Sequence, residues 1–359
     1  MAAITAAMVK QLREMTGAGM MDCKKALAET DGNMDEAVDV LRKSGAAKME
    51  KKASRIAAEG ICRVAVDGNK AVVAEVNSET DFVAKNEVFQ NFVQEVADKA
   101  LASGLNGGKN GEDVQAILDG GLQEVVAEKT LQIGEKLSFR RFMKVEADAV
   151  ATYLHGGGKI GVLIGATGET GAAVDEALTN VAMQVAAMNP QYISRNDMSA
   201  EEVAKLRDIT LESALNDPFT LPKPVLGKLI DEAVASKWND EDKAAYEEHK
   251  ANMNYLPNFL SQEAKTALIE LAMKSKAEIT ENKIFTGLVD GRVSKHLKDI
   301  CLMDQTYVKA EDGKQSVAKY IESVSKNLTI SSIVRFEVGE GMEKKNEDFA
   351  AEVAAQMNA

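Results

Sequence analysis

The chain has 359 residues, 43 Lys and Arg against 56 Asp and Glu for a formal net charge of −13, and 45% hydrophobic but only 5% aromatic residues. That length suggests about two to three domains, and the apolar fraction is ample for conventional cores. The acidic excess argues against a general nucleic-acid binder, because neutralising phosphates needs concentrated Lys and Arg, so a partner other than naked RNA or DNA is expected.

Reactive side chains are scarce: His155, His249 and His296, Cys23, Cys62 and Cys301, and a single Trp238. No two of them stand at metal-ligand spacing, so neither a metal nor a cofactor is expected. The dispersed cysteines make no disulfide framework, and the segment from Met1 to Gly17 is amphipathic rather than basic and then apolar. No stretch approaches the roughly 18 apolar residues that a membrane-spanning helix needs. The expectation is a protein of the reducing cytoplasm with no membrane attachment.

Met8, Val9, Leu12 and Met15 share one helical face, and Gly17-Ala18-Gly19 closes that helix in a tight turn. Asp22 is placed to cap a second helix carrying Cys23, Ala26 and Leu27, which stops near Asp31-Gly32. A third, from Asn33 to Ser44, shows Met34, Ala37, Val38 and Leu41 at i, i+3, i+4 and i+7. Together they form a three-helix module over 1–54. It is nearly neutral, with 9 Lys and Arg against 8 Asp and Glu, so the acidic charge lies beyond it. Residues 47–53 lack an apolar stripe and read as an exposed helical linker.

The period then changes from helical to alternating. Ile61 to Val66, the turn Asp67-Gly68-Asn69, and Ala71 to Val76 give a hairpin. A helix follows the polar loop at 77–81, with Phe89, Phe92, Val93, Val96, Ala97, Ala100 and Leu101 on one face. After a Gly-rich break at 104–111 and another helical stretch, Leu137 to Val145 reads as a strand. This α+β unit occupies 55–146.

The same pattern recurs. A shift of 89 residues aligns Lys70-Ala71-Val72-Val73 with Lys159-Ile160-Gly161-Val162, and Phe89, Phe92 and Val96 with Leu178, Val181 and Val185. Arg141-Phe142 of the third strand is echoed by Arg335-Phe336, far down the chain. A second α+β subdomain is therefore expected at 147–195 and 301–340. Between its parts, 196–300 reads as a helical insertion of coiled-coil or dimerisation type, with Pro218, Pro222, Pro224 and Pro257 at its turns. A C-terminal module is expected at 341–359.

Two local features carry possible chemistry. The run His155-Gly156-Gly157-Gly158-Lys159-Ile160-Gly161 contains G-x-G-x-x-G, but it precedes a strand, whereas a dinucleotide site follows a strand and opens a helix. Ile160 also stands where a phosphate loop needs Ser or Thr, so a hairpin loop is the expected reading. Thr80-Asp81-Phe82-Val83 allows two readings. Either Thr80 or Asp81 caps the following helix and Phe82 packs beneath it, or the ring is an anchor for a pocket on another protein. Burying a Phe side chain is worth roughly 1.5–3 kcal/mol, enough to matter at an interface.

Four segments closely resemble the translation elongation factor Ts family: Thr16 to Leu27 (TGAGMMDCKKAL), Glu79 to Asn86 (ETDFVAKN), His155-Gly156 with Ile160-Gly161-Val162-Leu163, and Arg335 to Gly341 (RFEVGEG). They occur in order and cover both ends and the core. The resemblance implies a ubiquitin-associated-like three-helix domain, a two-subdomain α+β core, a helical insertion and a C-terminal helical module. It further implies a guanine-nucleotide exchange factor, not an enzyme, that acts on elongation factor Tu in its GDP-bound and nucleotide-free states. Thr80, Asp81, Phe82 and Val83 would dislodge magnesium from that partner, and Leu12, Met20, Met21, His155, Gly156 and Phe349 would bind it. The insertion is longer than in the shorter family members, and its role is open among a longer coiled-coil arm, a homodimer contact and a contact with the second half of Tu. Two other classes compete. An adaptor binding a GTPase or ubiquitin-like partner through the three-helix module alone leaves Thr80 to Asn86 unexplained, and a nucleotide-using enzyme must itself bind GDP or ATP.

Overall fold

The computed structural model describes residues 4–343. Most of the expected C-terminal module, Phe349 included, lies outside the described residues. The chain divides into two compact units, one running to Asn189 and resuming at Tyr307, the other Pro190–Thr306.

The first unit opens with three helices. In α1 (Ala6–Thr16) the Thr5 hydroxyl accepts from the Met8 amide, and Gly17, at φ 68°, closes the helix by donating to the Arg13 carbonyl. Next, α2 (Met20–Glu29) starts from an extended Gly19, earlier than expected. Asp22 therefore lies within its first turn and pairs with Lys48 at 3.0 Å instead of capping the helix. The third, α3 (Met34–Lys52), begins where the Asn33 side chain accepts from the Asp35 and Glu36 amides. It does not stop at Ser44, and the expected linker is its second half. Leu12, Cys23, Ala26, Leu27, Ala37 and Leu41 form the module's core.

Strands β1 (Glu59–Asp67) and β2 (Lys70–Ser78) pair antiparallel with Val64 opposite Val73, joined through Gly68 at φ 57°. A single turn, α4 (Asp81–Ala84), leads to α5 (Glu87–Ala102), whose Phe89, Phe92, Val93 and Val96 are buried in the core beneath β1 and β2. After β3 (Gly107–Gly108), α6 (Val114–Ile117) and α7 (Gln123–Ile133), β4 (Ser138–Glu146) returns beside β2, giving the order β1-β2-β4-β3. The pattern repeats in β5 (Ala149–His155), β6 (Ile160–Thr167) and α8 (Ala172–Met188), which buries Leu178, Val181 and Val185 at the positions of Phe89, Phe92 and Val96.

The second unit consists of α9 (Ala200–Leu215), α10 (Lys223–Ser236), α11 (Asp240–His249), α12 (Gln262–Lys274), α13 (Lys276–Glu281) and α14 (Lys283–Ile300). These helices share one core that includes Leu215, Ile230, Trp238, Leu268, Phe285 and Val293. Pro222 precedes α10, the Ser199, Ser261 and Asn282 side chains cap α9, α12 and α14, and α9 packs against α14, with Arg207 and Asp290 paired across them at 3.0 Å. The unit is wider than the expected 196–300 insertion because Gln191 and Tyr192 donate to the Ile300 carbonyl, and Leu302 and Met303 donate back to Tyr192 and Ile193.

Back in the first unit, α15 (Val317–Val324) precedes β7 (Thr329–Glu337), which pairs with β6 to complete the order β5-β6-β7. The Arg-Phe echo is not in register. Phe142 stands opposite Ala74, whereas Phe336 stands opposite Gly161, the counterpart of Val72. Cys62, Val73, Val145, Leu163, Val334 and Phe336 from the two sheets meet in one apolar cluster. The whole is an α+β architecture of antiparallel sheets and helices.

Candidate functional site

At the end of β2 the chain leaves the sheet through Glu79 and Thr80. Thr80 is extended (φ −128°, ψ 156°), and its hydroxyl oxygen accepts from the Val83 amide at 3.4 Å, so Thr80 is the cap. The corner is braced from the turn after α7. One carboxylate oxygen of Glu135 accepts from the Glu79 and Thr80 amides, each at 3.0 Å, and the other accepts from the Thr80 hydroxyl at 2.7 Å. In return the Lys136 amide donates to the Glu79 carboxylate at 2.6 Å, which Arg55 also grips at 3.2 Å. The Lys136 ammonium donates to the carbonyls of Ala53 and Arg55 at 2.6 and 2.8 Å.

With the cap fixed, a one-turn helix has room for one fully inward side chain, and Ala84 takes that place. Phe82 is left 78% exposed, with the Lys85 ammonium 5.8 Å from its ring centroid. The expectation that Phe82 packs beneath the helix is overturned. Lys85 also donates to the Asp81 carboxylate at 2.8 Å. That hydrogen bond, aided by the charges of Lys85 and Lys159, holds the Asp81 carboxyl below the usual Asp range.

The influence of Lys159 ties the corner to the Gly-rich loop. Gly156–Gly158 form a tight turn between β5 and β6 with φ values of 59°, 69° and 99°. A Cβ on Gly158 would lie 2.7 Å from the Cys62 carbonyl, so close approach to β1 requires glycine there. Lys159 forms an ion pair with Glu59 of β1. This loop joins a hairpin and aims no helix N-terminus at a phosphate. His155 and Gly156 are exposed beside it, and Tyr153 Oη lies 3.1 Å from His155 Nδ1.

Of the remaining candidates, Met20 and Met21 open α2 at 59% and 75% exposure. Leu12, expected on the partner-binding surface, is instead fully buried in the three-helix core. All three cysteines are buried, and burial pushes each thiol pKa up, away from nucleophilic use. His249 stacks on Phe259 with ring centroids 3.6 Å apart. Among the described residues no group of three or more His, Cys, Asp or Glu is placed to hold a metal, and no helix is long and apolar enough to cross a membrane. Sequence reasoning missed Glu135, Lys136 and Lys159. The first two follow a helix-closing Gly134 with no periodicity to flag them.

An α+β scaffold of two like halves, with a braced corner that offers an exposed ring beside a carboxylate, is suited to contact with another protein through shape and apolar area. The family described as Elongation factor TS matches residues 79–340. Elongation factor Ts of Clostridioides difficile (strain 630) is 42% identical over 369 residues, covering 99% of this chain and 100% of that protein. The chain belongs to the elongation factor Ts family.

Proposed function

We propose that this chain is a guanine-nucleotide exchange factor for elongation factor Tu, that it acts in the cytoplasm, and that it works by inserting the Asp81-Phe82 corner beside the GTPase's magnesium site. The observation that carries this reading is a large ring held outward on a corner braced by at least five hydrogen bonds, within the segment that matches the family. Thr80 and Val83 shape the corner. Met20 and Met21 of the three-helix module grip the GTPase, and His155 and Gly156 lie on the partner-facing side of the second half.

The mechanism needs no acid or base on this chain. Each 1.4 kcal/mol removed from nucleotide binding is about tenfold in affinity, and burying one Phe ring supplies roughly 1.5–3 kcal/mol. Spending that energy on a state in which magnesium coordination and phosphate contacts are lost speeds GDP release by one to two orders of magnitude from the ring alone. The coupling is reciprocal, so rebinding of nucleotide loosens the factor by the same free energy. The direction of exchange then follows the supply of GTP and GDP.

The test is release of fluorescent GDP from purified Tu. Substoichiometric wild-type chain accelerates release, and Phe82→Ala removes most of that acceleration while melting as the wild type does, since the ring makes no core contact. Release unchanged by Phe82→Ala removes the wedge role. No acceleration by the wild type leaves an adaptor that binds without exchanging.

A further inference from the structure

We propose that Glu135 is the positioning residue of the Asp81-Phe82 corner: from the turn after α7 its carboxylate sets where the ring points, without touching the partner itself. The proposal rests on the exchange reading above and deepens it. A helix of one turn has almost no internal hydrogen-bond ladder, so its direction is set by what satisfies the backbone at its start. Glu79 and Thr80 lie past the last paired residue of β2, and their amides find one shared acceptor in Glu135, at 3.0 Å each.

The hydroxyl of Thr80 carries the rest of the argument. It has one hydrogen to donate and two lone pairs to offer. Its hydrogen goes to the second Glu135 oxygen at 2.7 Å, which leaves a lone pair for the Val83 amide at 3.4 Å. Glu135 therefore orients the cap as well as bracing the backbone. Only an acceptor-only group suits this place. In Glu135→Gln, an amide NH2 must face either two backbone N–H groups or the hydroxyl whose hydrogen needs an acceptor. The brace itself stands on firm ground. Gly134, at φ 87°, closes α7 and its carbonyl takes the Lys52 ammonium, while Lys136 holds the carbonyls of Ala53 and Arg55.

Two measurements on the full chain test this. Amide hydrogen exchange of the free protein reads the corner directly: Glu135→Gln and Glu135→Ala speed exchange at Glu79, Thr80 and Val83 about tenfold or more, the change expected from losing hydrogen bonds to a charged acceptor, while Val64 and Val73 keep their rates. Unchanged rates at the corner, or a rise spread evenly through the sheet, overturn the proposal. Thr80→Ser retains protection, and Thr80→Val loses it at Val83. The second measurement is a double-mutant cycle on maximal GDP release. Glu135→Gln slows release about tenfold when Phe82 is present and less than about twofold in a Phe82→Ala background, because a residue acting only through the ring has nothing left to position. Equal loss in both backgrounds marks a general structural role and overturns the proposal. If the wild type accelerates nothing, the exchange reading fails, and the amide rates still decide whether Glu135 holds the corner.

Discussion

Asp81 and Phe82 are neighbours held by different forces. The ring is outward because Ala84 fills the inner side of α4, whereas the carboxylate is fixed by Lys85 four residues on, the favourable acid-then-base spacing of a helix. Because its folded pKa lies below the ordinary value, Asp81 adds stability above its unfolded pKa, and that contribution is lost as pH falls through the folded one. The side chains are exposed, so the effect on global stability is small. The site-specific titration is the better readout. In Lys85→Met the Asp81 carboxyl, followed by NMR, titrates higher and closer to the ordinary Asp range; an unmoved midpoint rules out Lys85 as the main cause. At neutral pH the corner thus presents an anion beside an apolar ring. A cap at Thr80 or Asp81 was legible in sequence because caps are local, and the structure decides for Thr80. The direction of Phe82 was not, since four helical residues show no period, and Glu135 lies 55 residues from Thr80.

At the scale of elements, the second half of α3 shows why an apolar stripe is an incomplete guide. Its contact with α7 rests on the absence of a side chain: a Cβ on Gly45 would stand 2.9 Å from the Ala127 carbonyl oxygen and 3.7 Å from Leu131 Cβ. Further along, Met49 packs at the edge of the first sheet's core. Gly45→Val therefore pushes α3 from α7 and costs about 1–3 kcal/mol, a typical overpacking penalty, read as a lower denaturant midpoint. An unshifted midpoint would show the two helices to be loosely packed. The repeat was easier to read, because helix periodicity fixed Phe89, Phe92 and Val96 and their counterparts as buried. Strand alternation was weaker: sliding β7 by two residues keeps every side chain on its face, so the Arg-Phe echo located the strand and left its register open.

Across the first unit, one buried carboxylate joins segments 264 residues apart. Glu75 of β2 is fully buried and accepts from Arg141 Nε at 2.5 Å, Arg140 Nη1 at 2.9 Å, Asn77 Nδ2 at 3.1 Å and the Gly339 amide at 2.9 Å. Arg141 reaches on to the Glu337 carbonyl and the Glu340 carboxylate, and its guanidinium lies 4.2 Å from the Phe336 ring centroid. Close contact is required at the far end, since Gly339 at φ 72° would place a Cβ 2.2 Å from the Ala58 carbonyl oxygen. Sequence named Arg141 and the Arg335 to Gly341 motif but gave no sign that Glu75 joins them, because charge pairing at this separation leaves no periodic trace. The energetics follow from burial. Glu75→Leu leaves the Arg141 guanidinium, only 6% of whose side chain is exposed, with the half-exposed Glu340 as its remaining carboxylate and costs up to about 3–5 kcal/mol. Replacing both partners, Glu75→Leu with Arg141→Met, recovers part of that loss, because the desolvated charge leaves with its partner while Arg140 can turn to solvent. Thermal melting of the two variants decides the point: a double variant no more stable than the single would mean that Glu75 acts through Gly339 and Asn77, and not through the arginine it neutralises.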